Sequence, residues 1–87
     1  MLYPAQIRAA RALLGWHQVE LARKARVGLA TIQRLEKGPD GPVLAHYLTV
    51  VKITACLEVA GIVFVASDEM GGYGVRLTRR HEKLEQK

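Results

Sequence analysis

This chain has almost nothing with which to staple or ligate itself. Cys56 is its single cysteine, so no disulfide can close within the chain, and the simplest expected setting is a reducing cytoplasm. His17, His46 and His81 lie far apart, and no Cys/His cluster has zinc-site spacing. No metal and no cofactor is therefore expected. An uninterrupted apolar run of membrane length is also missing. The most apolar stretch, Val43 to Ala66, is broken by His46, Lys52 and Glu58. Charges at mid-bilayer are costly, so this stretch reads as a buried helix followed by a strand. The N-terminus, "MLYPAQIRAARALLGW", mixes arginines into its apolar residues, unlike the unbroken apolar centre of a secretory signal. No paired carboxylates, phosphate-cradling glycine loop or nucleophile–histidine arrangement can be found, and "GGYG" reads as a turn with no helix after it. An enzyme is not expected.

What is present fits one small domain: 87 residues, 49% of them hydrophobic, enough for a modest core. The net charge of +5 is concentrated at one end. Residues 1–38 hold Arg8, Arg11, Arg23, Lys24, Arg26, Arg34 and Lys37 against only Glu20 and Glu36, whereas residues 39–87 are balanced. Such a bias is the footprint of a polyanion partner, most simply nucleic acid. Charge alone fits a solvated basic face equally well.

Helical signals follow in order. Pro4 suits a first helical turn. "AQIRAARALL" then spaces Ile7, Ala10, Leu13 and Leu14 along one face, and Gly15 is placed to end the helix in the left-handed conformation. "QVELARKA" turns Val19 or Leu21, with Ala22 and Ala25, inward. After a short turn, "VGLATIQRLEKG" makes a third helix closed by Gly38. Its Ile32 and Leu35 are spaced for a core, while Leu29, Ala30, Gln33, Arg34 and Lys37 share the outer side. Beyond the loop "GPDGP", one helical face carries Leu44, Leu48, Val51, Ala55 and Val59, and another carries Ile53, Cys56, Leu57 and Ala60. A helix with two apolar faces packs on two things at once. "IVFVA" and "VRL", with the turn "SDEMGGYG" between them, form a hairpin that needs further packing to be stable. The ending "TRRHEKLEQK" reads as a charged, frayed tail.

A short turn between the second and third helices, within a basic half, points to helix-turn-helix. "WHQVELARKARVGLATIQRLEKG", Trp16 to Gly38, resembles the helix-turn-helix of the XRE/Cro/phage-repressor family. The matching positions are Gln18, Glu20-Leu21-Ala22, Ala25, Val27, Ile32, Leu35-Glu36 and Gly38. The resemblance covers roughly residues 5–60, and "GIVFV…GGYGVRL" resembles the ending of very short bacterial members. It implies a mainly α fold: a four-to-five-helix, lambda-repressor-like helix-turn-helix domain with a short C-terminal β-hairpin. The domain would span 1–61, the hairpin 62–78 would belong to the same unit, and 79–87 would be a flexible tail.

The resemblance also implies roles. Gln18, at the start of the second helix, would meet DNA phosphate, with His17 beside it. Gly28 would cap the recognition helix. Leu29, Ala30 and Arg34 would face base edges, with Thr31 and Gln33 next to them, and Lys37 with Arg23 or Lys24 would sit on phosphates. The mixed outer face of the third helix then makes sense in a major groove. Leu29 and Ala30 can touch thymine methyl groups, and Arg34 can pair with guanine. Arg11 and Glu36 match a structural charged pair. Three departures from the family pattern carry expectations. His17 replaces the usual Ser/Thr cap, Arg26 stands where the turn has glycine and faces positive φ, and Asp40 in the following loop would repel phosphate.

The function so implied is a sequence-specific transcriptional regulator, a repressor or autoregulator, binding double-stranded DNA at an inverted-repeat operator as a homodimer. Val50, Leu57, Ile62 and Phe64 are the expected dimer contacts. The alternative is an antitoxin or anti-regulator that binds a protein partner through its C-terminal helix and hairpin. No membrane partner is expected.

Overall fold

A computed structural model describes residues 1–78. The charged tail expected at 79–87 lies outside them. Four helices, α1 (Pro4–Leu14), α2 (Gln18–Ala25), α3 (Leu29–Lys37) and α4 (Tyr47–Val59), precede an antiparallel pair, β1 (Ile62–Val65) and β2 (Gly74–Leu77). The fold is mainly helical with a terminal hairpin, as the sequence indicates.

Each helix stops and starts for a local reason. Pro4 opens α1, where its missing N–H is not needed. Gln6 reaches back, its Oε1 accepting the Tyr3 N–H at 3.0 Å. Gly15, with φ of 69°, turns the chain out of α1, a conformation that glycine adopts without steric cost. Arg26 does the same after α2 with φ of 59° and no such freedom, as its place in the sequence suggests. The turn is completed by the Val27 N–H donating to the Ala22 carbonyl at 2.9 Å.

The core is one cluster: Leu2, Ile7 and Ala10 from the α1 end, Leu21, Ala22 and Ala25 from α2, Ile32 and Leu35 from α3, Ile53 and Leu57 from α4, and Ile62 from β1. Small Ala22 and Ala25 let α2 cross α3 and α4 closely. Two inward expectations need correcting. Leu13 and Val19 are exposed, while Leu14 and Leu21 take the inward places. Leu44 is not helical either, because α4 begins only at Tyr47. The preceding segment is held instead by the Val43 N–H donating to the Leu2 carbonyl at 2.7 Å.

In the hairpin, Ile62 pairs with Leu77 and Phe64 with Val75. These four side chains share the face that packs on the core, in keeping with the two-residue period of a strand. Gln6 fixes the hairpin to α1 by donating from Nε2 to the Gly74 carbonyl at 3.0 Å. Tyr3 and Tyr73 stack above it with ring centroids 3.8 Å apart. No helix among the described residues is long and apolar enough to cross a membrane.

Candidate nucleic-acid interface

The orientation of α3 is set by a polar knot at its C-terminal end. Arg11 on α1 grips Glu36 on α3 with two bonds of 2.7 Å, from Nε to Oε2 and from Nη2 to Oε1. The third guanidinium nitrogen, Nη1, donates to the Trp16 carbonyl at 3.0 Å. Gln18, the first residue of α2, donates from Nε2 to Glu36 Oε1 at 3.1 Å. Arg8 donates to the Glu36 backbone carbonyl. Glu36 is only 5% exposed, and a carboxylate so buried needs this many donors. Its hydrogen bonds raise the Arg11 pKa above the ordinary guanidinium value against a smaller opposing effect of burial. One acidic side chain thus ties together the end of α1, the start of α2 and the end of α3.

The start of α2 is capped unusually. The His17 side chain makes no capping hydrogen bond. Glu20 instead accepts the His17 backbone N–H at 3.0 Å, one half of a capping box. The imidazole is left exposed. At the start of α3, Gly28 is the N-cap, again with no side chain bonded to the helix end. Its φ of −62° is open to any residue, so a small cap, not an unusual backbone, distinguishes the position. A helix N-terminus left open in this way presents N–H groups and the positive end of the helix dipole.

Between the two helix starts lies a concavity of about 450 Å³ lined by Arg11, His17, Gln18, Val19, Leu29 and Gln33. Four of the residues singled out from the sequence meet there. Leu29 is 37% exposed; Ala30, Gln33, Arg34 and Lys37 are exposed along the same helix, and Thr31 is half-buried. Ile32, Leu35 and Glu36 turn inward, so α3 presents a polar-and-apolar ridge held from behind. Arg34 stands at the edge of a neighbouring hollow, about 400 Å³, shared with Asp40 in the 38–44 loop. Among the described residues the one ion pair is Arg11–Glu36, and Arg34 has no acidic partner.

Two features escape sequence reading. Val19 joins the concavity, because Leu21 occupies the inward place that either residue could have filled. Lys24 lies over the Trp16 ring, 5.2 Å from its centroid, on the side of α2 that faces α4. Arg23 is the neighbouring cation exposed without such an engagement.

The expected dimer residues divide. Leu57 and Ile62 are buried in the chain's own core, so neither is available to a second copy. Both faces of α4 are apolar, and the face holding Ile53 and Leu57 is the one its own domain claims. Val50 and Phe64 are half-buried against that core. The unpartnered surface is the other face of α4, where Tyr47, Leu48, Val51, Ala55 and Val59 are exposed, Leu48 at 68% and Val59 at 90%.

Comparison with known proteins agrees with this arrangement. Residues 7–48, running from within α1 into the first turn of α4, match the family model described as helix-turn-helix. A search of the curated proteins finds no match for the chain.

Proposed function

We propose that this chain, whose residues 7–48 match the helix-turn-helix family model, is a DNA-binding transcription regulator of the XRE type that acts as a repressor or autoregulator. In this reading it binds an inverted-repeat operator as a homodimer, with α3 in the major groove. The observation that carries the reading is the concavity between the starts of α2 and α3. It sets Gln18 and His17 opposite Leu29 and Gln33, beside a ridge whose Arg34 has no acidic partner among the described residues.

The roles we assign are those that the family resemblance implies. Gln18 spends one amide hydrogen on Glu36 and keeps the other for a phosphate oxygen. Leu29 and Ala30 would contact thymine methyl groups, and Arg34 would make paired hydrogen bonds to guanine N7 and O6. Thr31 and Gln33 flank them, while Lys37, Arg23 and His17 would supply phosphate contacts that add affinity without sequence choice. Gly28 would let the open end of α3 approach the backbone.

One such domain reads few base pairs, so useful specificity wants two copies on half-sites about 34 Å apart. The N-terminal part of the exposed stripe of α4, Tyr47, Leu48 and Val51, with Val50 and Phe64 at its margins, is the surface we assign to the second copy. The same stripe favours a second reading, in which the chain docks a different protein as an antitoxin or anti-regulator.

Selection of bound duplexes from a random pool tests the proposal, with Arg34→Ala run alongside. An inverted repeat should emerge. Arg34→Ala should lose about 1–3 kcal/mol of preference at one guanine per half-site while keeping its salt-dependent binding. A pool with no motif, whose residual binding disappears at modest salt, would overturn the reading and direct attention to a protein partner.

A further inference from the structure

On the side of α2 away from the concavity, a second groove of about 570 Å³ runs between the end of α2 and the outer part of α4. Its floor and walls include Trp16, Ala55 and Val59; Lys24, Arg26 and Lys52 stand around it. The volume falls within the range of small-molecule sites, about 300–1,000 Å³. We propose that this groove binds a small amphiphilic anion, a carboxylate on a short apolar body, with the body against Trp16, Ala55 and Val59 and the carboxylate among the three cations.

Charge decides the class of ligand. Lys24 lies over the Trp16 ring, and among the described residues no carboxylate pairs with Lys24, Arg26 or Lys52, Arg11–Glu36 being the one ion pair there. The ends of α2 and α4 also border the groove. Each helix C-terminus contributes about half a negative charge, which leaves the three cations well in excess. The apolar floor excludes a fully hydrated anion such as inorganic phosphate as the best fit, and the cationic rim disfavours a neutral or positively charged amphiphile.

The site is separate from the proposed DNA-reading face, so it can be tested without DNA. Trp16 is the only tryptophan in the chain and lies in the groove wall, so its emission reports occupancy directly. The full chain is titrated with sodium octanoate and, in parallel, with octan-1-ol, which has the same apolar length and no charge. Octanoate is expected to give a saturable change in Trp16 emission, and octanol to need a concentration about tenfold higher or more. Lys52→Gln, at an exposed position, should weaken octanoate by about tenfold, and Lys52→Arg should keep it. Equal responses to octanoate and octanol, no saturable change, or an unaltered Lys52→Gln would each overturn the proposal. So would an emission change that follows protein concentration and abolishes the octanoate response, because the groove would then be covered by a second copy.

Discussion

The third and fourth helices both show solvent a row of side chains, and they are held behind it by opposite means. α3 is fixed by a buried carboxylate that takes donors from Arg11 and Gln18 on its side chain and from Arg8 on its backbone. α4 is fixed by Ile53 and Leu57 alone among its residues that are fully buried. The outer rows differ in the same sense. That of α3 mixes Leu29 and Ala30 with Gln33, Arg34 and Lys37, whereas that of α4 is apolar over Leu48, Val51, Ala55 and Val59. Directional bonds suit a helix whose angle must be set for reading a grooved, charged surface. Non-directional burial is enough for one that offers a broad apolar face.

The contrast can be broken most strongly at Glu36. Glu36→Ala removes the shared acceptor and leaves the Arg11 guanidinium without its partner. Loss of one member of a buried pair costs about 3–5 kcal/mol, so urea denaturation should show a stability loss of that size. A cost below about 1 kcal/mol would mean that water replaces the carboxylate and that the knot does not fix α3.

On α4 the prediction separates the two faces. Leu57→Ala should cost about 2–5 kcal/mol, as expected for a fully buried leucine. Val59→Glu, on the outer face, should stay within about 0.5 kcal/mol in the stability of the monomer and shift any dimer toward monomer in analytical ultracentrifugation. Equal thermodynamic costs at the two positions would place Val59 in a packed environment and remove the distinction.

The smallest expected gain or loss outside the exposed face of α4 sharpens the comparison at the turn that aims α3. Arg26 holds φ of 59° without being glycine. Arg26→Gly should relieve the strain and raise stability by about 1 kcal/mol, read as a rise in melting temperature. A fall instead would show that the Arg26 side chain contributes packing that outweighs the strain.

Much of this was legible in the sequence, and what was not has physical causes. The first three helices announce themselves through Pro4, Gly15, Gly28 and the spacing of Ile7, Leu21, Ile32 and Leu35. The positive φ at Arg26 was implied by the resemblance, in which the turn has glycine at that place. The start of α4 did not, because Leu44 continues the helical spacing while a backbone bond between Val43 and Leu2 keeps that segment extended. Nor could periodicity say which apolar face of α4 the domain would keep for itself. Leu57 and Ile62 were therefore expected outside and are found inside. The bond from Gln18 to Glu36 depends on how α2 crosses α3 and leaves no local signal in either helix. Grouping His17, Gln18, Leu29 and Gln33 needed only the correct register of the two helix starts, which the motif carries.

Gln6 joins a local contact to a distant one. Its side chain is buried and bonds at one end to Tyr3, three residues away, and at the other to Gly74, sixty-eight residues away. During synthesis the first bond is available as soon as α1 emerges. The second must wait until β2 has left the ribosome, and until then the Gln6 amide lacks its native partner. Burying an amide without a partner is costly, so the hairpin supplies the acceptor that the buried Gln6 amide on α1 needs. β2 thus completes α1 across sixty-eight residues of sequence, and without the Gly74 carbonyl the buried Gln6 amide would lose its partner.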